Sequence, residues 1–125
     1  MKILTLVARL MLGLIFVVFG LNVFLRFLPL PPYTGDAGTL MGLMFRYGWF
    51  SLYGFIEIVG GLFLLFGRYV AVGLILIGAM LVNILLFHLT LSPPTMGPGV
   101  FAAILEVILL YEYRASFSGI LAAKS

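Results

Sequence analysis

The chain has no cysteine, one histidine and one tryptophan, and only 9% of its 125 residues are charged. Without cysteine it carries no dithiol redox chemistry, no thiolate-held iron–sulfur cluster and no disulfide of its own. A single histidine excludes bis-histidine haem ligation and leaves one imidazole for a pigment or a metal. Soluble domains are about a quarter charged, so this chain has too little polar surface for water. The seven Lys and Arg residues behind the net charge of +3 are spread singly. No basic cluster forms, which argues against a nucleic-acid partner. Signatures of catalysis are absent as well: there is no nucleophile turn with a Ser-His-Asp set, no Gly-rich phosphate loop and no metal-ligand spacing.

What is present is apolar length. The sequence is 64% hydrophobic, and long hydrophobic runs define an integral membrane protein with the lipid bilayer as its first partner. A span needs about 20 apolar residues, and four segments qualify: 3–28, 50–67, 70–91 and 99–116. Breakers separate them, namely "PLPP" from Pro29, the turn at Gly67 and "SPPTMGPG" from Ser92. No segment alternates apolar and polar residues, so a β-barrel is excluded. The N-terminal run resembles a signal peptide, but it lacks a small-x-small cleavage site and is long enough to be a retained first span. The expected fold is all-α: one transmembrane domain over residues 1–125, a four-helix bundle with an interfacial loop or short helix between spans one and two.

Charge sets the expected orientation. With the N-terminus inside, Lys2, Arg9, Arg68, Arg114 and Lys124 are cytoplasmic while Arg26 and Arg46 face outward. The positive-inside rule therefore puts both termini in the cytoplasm. Between the first two spans, Asp36 or Thr39 is placed to cap an amphipathic helix lying on the membrane surface. That segment is either an interfacial linker or a lid over a cavity opening outward.

Polar residues inside the spans are the candidate site. At 1.5 Å per residue, Glu57 lies roughly 9 Å below the outer boundary, Glu106 roughly 10 Å, Asn83 about 12 Å, Asn22 about 6 Å and His88 about 5 Å. Carboxylates facing hydrocarbon cost several kcal/mol, so Glu57 and Glu106 are expected to point into the bundle. Gly54, Gly60 and Gly61 share the face of Glu57, and Gly13 and Gly20 share a face of span one. Such small residues admit a close neighbour. Arg26 is the one cation near this layer. If it reaches either glutamate, the pair is a buried salt bridge with an architectural role. If not, a carboxylic acid is left to donate a hydrogen bond or pass a proton. Asn22 and Asn83 serve either as interhelical hydrogen-bonding groups or as ligand contacts. His88 is either an interfacial residue or a ligand to a pigment. The pairing of Asn22 with Asn83, and of Glu57 with Glu106, hints at a duplicated two-helix hairpin.

"ARLMLGLIFVVFGLN" (Ala8 to Asn22), "EIVGGLFLLFGR" (Glu57 to Arg68) and "NILLFHL" (Asn83 to Leu89) resemble, in this order, the DoxX family of small four-helix membrane proteins. The spacings Arg9–Gly13–Phe16–Gly20 and Glu57–Gly60–Gly61–Gly67 carry the resemblance. It implies a protein of a bacterial-type inner or plasma membrane. Family members include a subunit of a thiosulfate:quinone oxidoreductase, proteins linked to redox homeostasis, and accessory membrane proteins. Arg9, Asn22, Glu57 and His88 match recurrent family positions. Many relatives carry a Lys after the "GLN" of span one, where this chain has Val23.

Three functions follow as expectations. The first is an accessory subunit of a larger membrane assembly, redox or otherwise, whose polar pocket takes a lipid-like molecule and whose partners are other subunits or further copies of itself. The second is a quinone-linked oxidoreductase component, with quinone as cofactor, Glu57 or Glu106 handling protons and His88 or Asn83 bonding a quinone carbonyl. The third is a pigment- or haem-associated subunit with His88 as axial ligand. The candidate ligand residues are thus Asn22, Arg26, Glu57, Asn83, His88 and Glu106.

Overall fold

A computed structural model of the chain describes residues 2–27 and 33–118. The expected breaker at Pro29 and the positive charge of Lys124 lie outside those residues. Among the described residues every regular element is helical: α1 (Lys2–Leu25), α2 (Gly35–Arg46), α3 (Trp49–Phe66), α4 (Val70–Leu91) and α5 (Gly97–Glu112), with short 3-10 turns at Pro93–Thr95 and Arg114–Phe117. Three of these, α1, α3 and α4, are long and apolar enough to cross a membrane. The described residues therefore form five α-helices, because the segment between the first two spans makes a helix of its own.

The boundaries follow from local chemistry. Gly67 closes α3 at φ +69°, its N–H donating to the Phe63 carbonyl at 3.0 Å. That left-handed conformation is open to glycine at little cost. Pro93 and Pro94 end α4, since a residue before proline is driven out of the helical region, and Ser92 is extended at φ −151°. Pro98 occupies the first turn of α5, where its missing N–H costs nothing. One expectation is corrected here. Thr34, not Asp36 or Thr39, precedes the first residue of α2, and it makes no side-chain cap. Thr39 instead donates to the Gly35 carbonyl at 3.0 Å, inside the helix.

α1, α3, α4 and α5 pack around one core in which Leu12, Leu64, Leu74, Ile77 and Leu109 are fully buried. The α1–α3 contact is the most extensive, and glycine is the reason. A Cβ on Gly13 would stand 2.8 Å from the Gly61 carbonyl oxygen, and a Cβ on Gly61 2.7 Å from that of Gly13. Seven residues away along each helix, a Cβ on Gly20 would lie 2.8 Å from the Gly54 oxygen. These are backbone-to-backbone approaches between antiparallel helices, the closest packing that lipid-embedded helices adopt. α4 meets α3 in the same manner, with a Cβ on Gly73 only 2.9 Å from the Gly60 oxygen. Large apolar side chains such as Leu52, Phe55, Phe66, Val82 and Val107 are exposed. A soluble domain would not present so much hydrocarbon outward.

α2 lies at one end of this bundle. Phe45 stacks on Phe50 of α3 with ring centroids 4.3 Å apart, and Phe50 meets Tyr53 edge-on at 5.8 Å. Ala37 is its one buried residue among those described. The helix thus rests on α3 through the Phe45–Phe50 stack and touches α4 lightly, while most of its surface stays open.

Candidate ligand-binding site

The six candidate residues separate by burial. Asn22, Glu57 and Glu106 are 6%, 8% and 5% exposed, so helix packing encloses all three. Glu57 lies between α1 and α3: a Cβ on Gly20 would stand 3.1 Å from the Glu57 Cβ. Asn22, two residues beyond Gly20 on α1, is buried at the same end of that interface, and its backbone carbonyl accepts from the Arg26 N–H at 2.9 Å.

Arg26 and Asn83 turn away from this interior. Arg26 follows α1 in the left-handed region at φ 51° and is exposed. Its guanidinium sits over the Phe45 ring of α2, 5.6 Å from the centroid, a cation–π contact rather than an ion pair with a glutamate. Asn83 is exposed on α4, where its side-chain amide donates to the Ala79 carbonyl one turn back at 3.0 Å. An amide that bonds its own helix can face lipid at reduced cost. Asn22 and Asn83 therefore do not occupy equivalent environments, and the hairpin-duplication pattern does not extend to their packing.

His88 is half-buried near the end of α4. Its Nδ1 lies 2.8 Å from the Ile84 carbonyl oxygen, an acceptor only, so Nδ1 carries the proton. The Nε2 lone pair then accepts from the Tyr33 hydroxyl at 3.5 Å. The ring also meets Phe87 edge-on, and Phe87 meets Tyr33 edge-on. Both imidazole nitrogens are thus engaged, Nδ1 within α4 and Nε2 tying α4 to the segment ahead of α2.

Glu106 has the most unusual surroundings. Its carboxyl lies across α4 at Gly78, where a Cβ would stand 2.9 Å from Oε2. Oε1 is buried with no hydrogen-bond partner among the described residues. Beside the carboxyl runs a groove of about 410 Å³ between α4 and α5, lined by Leu74, Ile75, Gly78, Leu81, Val82, Leu85, Ala103, Val107 and Leu110. Glu106 is the one residue along it with a polar side chain, and its carboxyl is enclosed behind an apolar wall. Among the described residues no three His, Asp or Glu side chains converge, so a metal reading has no ligand set behind it.

Gly78 and the α4–α5 groove escaped the sequence reading. An isolated glycine in a uniformly apolar helix gives no sign of what it faces. Its partner is 28 residues further on.

The geometry can be set beside known proteins. The DoxX family model matches residues 4–89, more than half of the chain. The chain belongs to the DoxX family. The match takes in α1 to α4 nearly whole, with Asn22, Glu57, Asn83 and His88, and stops before Glu106. No curated protein and no solved structure matches the chain.

Proposed function

We propose that this DoxX-family membrane protein is an accessory subunit whose α4–α5 groove binds a lipid-like amphiphile with a hydrogen-bonding head group on Glu106. The observation that carries the reading is the Glu106 carboxyl: enclosed just behind the wall of an apolar groove, with no hydrogen-bond partner at Oε1 among the described residues. A buried polar group without a partner costs about 1–3 kcal/mol. A ligand hydroxyl or carbonyl would remove that penalty, since a carboxylic acid both donates and accepts. The groove's hydrocarbon walls suit the tail of the same molecule.

α5 is the fourth span in this reading. Its 16 residues rise about 24 Å, somewhat short of a hydrocarbon core of roughly 30 Å. Flanking aromatics, local thinning of the bilayer or neighbouring subunits would accommodate the difference. Lys2, Arg9, Arg68 and Arg114 gather at one end of the bundle and Arg26 and Arg46 at the other, which supports cytoplasmic termini in a bacterial-type inner membrane. The accessory role rests on the site's contents: hydrogen-bonding groups without a nucleophile, metal set or phosphate loop. Other membrane subunits or further copies of the chain are the partners that the exposed apolar helix faces suit.

A quinone-linked variant of this reading draws on the same carboxyl. An acid O–H beside an apolar groove is matched to a quinone carbonyl as a hydrogen-bond donor.

Mapping tests the reading. Purified protein irradiated with a photoreactive long-chain alcohol is expected to carry label on Ile75–Leu85 and Ala103–Leu110. Label confined to α1 and α3 would refute it.

A further inference from the structure

The end of the bundle away from α2 holds a second concave site. Lys2, Thr5, Leu6 and Arg9 of α1 face Glu112 and Tyr113 across an open depression of about 310 Å³. Arg9 is fixed there by its neighbours. Its guanidinium lies against Gly67, where a Cβ would stand 2.8 Å from Nη1 and 3.1 Å from both Cζ and Nη2. Space and the positive φ both bar a side chain at that position. Nη1 donates to the Tyr113 hydroxyl at 3.4 Å, the one hydrogen bond of this guanidinium among the described residues. Nε is buried and has no acceptor. An arginine has five N–H donors, so a cation held in place by two helices keeps most of its hydrogen-bonding capacity.

Lys2 adds a second positive charge to the lining and Glu112 a negative one. No ion pair forms among these three residues, and the depression keeps a net charge of one positive. It lies at the first turns of α1 and the last of α5, which the span reading puts at the boundary between acyl chains and head groups. Basic pockets between helices at that level are suited to anionic lipid head groups. The planar arginine fork matches phosphate oxygens in particular.

We propose that this depression binds the phosphodiester of an anionic phospholipid, with Arg9 and Lys2 on the phosphate and Leu6 beside the start of the acyl chains. The site is separate from the Glu106 groove, and neither depends on the other.

Native mass spectrometry of the full chain in detergent tests it, with phosphatidylglycerol, phosphatidylcholine and inorganic phosphate as probes. The wild type is expected to retain phosphatidylglycerol about fivefold or more over phosphatidylcholine. Arg9→Gln and Lys2→Gln are each expected to lower phosphatidylglycerol binding about fivefold, the usual effect of one basic residue at an anionic surface. Arg26→Gln, at the other end, is expected to leave it unchanged. Because Arg9 also packs against Gly67, Lys2→Gln on an exposed residue keeps the test informative if Arg9→Gln does not fold. Equal binding of the two lipids, or full retention of phosphatidylglycerol by Lys2→Gln, would overturn the proposal. Displacement of the lipid by excess inorganic phosphate would also overturn it, assigning the site to a free anion.

Discussion

Oε2 of Glu106 occupies the space that a Cβ on Gly78 would need, 2.9 Å from where that atom would sit. A carboxyl from α5 and a bare stretch of α4 backbone thus define one point on the wall of the groove. The contact involves the far end of a flexible side chain, so Gly78→Ala is expected to fold. The added methyl group is expected to push the carboxyl off its seat and weaken binding of a photoreactive long-chain alcohol about three- to tenfold, the range of one net hydrogen bond. Unchanged labelling in a folded Gly78→Ala protein would show that the carboxyl's position does not matter.

The α1–α3 contact is less forgiving. On Gly61 a Cβ would meet the Gly13 oxygen at 2.7 Å and the Val17 backbone nitrogen at 3.0 Å, and neither backbone can step aside without parting the helices. Gly61→Ala is expected to destabilise the protein by about 1–3 kcal/mol. Gly42→Ala supplies the control: nothing lies within 4 Å of its Cβ, and replacing a helical glycine is expected to stabilise by roughly 0.5–1 kcal/mol. Thermal denaturation in detergent should move the two midpoints in opposite directions.

The single histidine allows a spectroscopic check. Nitrogen-15 NMR of labelled protein is expected to show the neutral ring protonated at Nδ1, because Ile84 offers that nitrogen only an acceptor. In Tyr33→Phe the same tautomer should persist while the Nε2 resonance shifts. A ring protonated at Nε2 would contradict the geometry around His88.

Asn83 is expected to be replaceable. Its side chain faces outward and bonds its own helix, so Asn83→Leu should alter stability by no more than about 0.5 kcal/mol and leave alcohol labelling intact. A large loss of either would place Asn83 in a contact with another subunit.

How far these features can be read from sequence depends on helix character. Membrane class, helical architecture and DoxX membership follow from the apolar runs and the motifs around Arg9, Asn22 and Glu57, all of which are local. The rotation of α4 is not local. That helix is apolar nearly all round, so no periodicity marks its inward face, and Asn83 and Gly78 were indistinguishable as to side. Its rotation is set by Gly73 against Gly60 of α3 and by Gly78 against Glu106 of α5. Arg26 is a similar case. Its position puts it near the polar layer, but a left-handed residue at the end of α1 sends its side chain to Phe45. The Arg9–Gly67 contact joins residues 58 positions apart, and only the packed chain brings them together.

The most direct test lies in the Glu106 side chain. Labelling by a photoreactive long-chain alcohol should be compared in wild type, Glu106→Gln and Glu106→Leu, with decylubiquinone as competitor. Glu106→Gln, which keeps both donor and acceptor, is expected to retain most of the α4–α5 label, and Glu106→Leu to lose about three- to tenfold. Competition by decylubiquinone beyond that of an unlabelled alcohol would favour the quinone-linked reading. Equal labelling of α4 and α5 in Glu106→Leu and wild type would contradict the claim that this carboxyl holds a ligand.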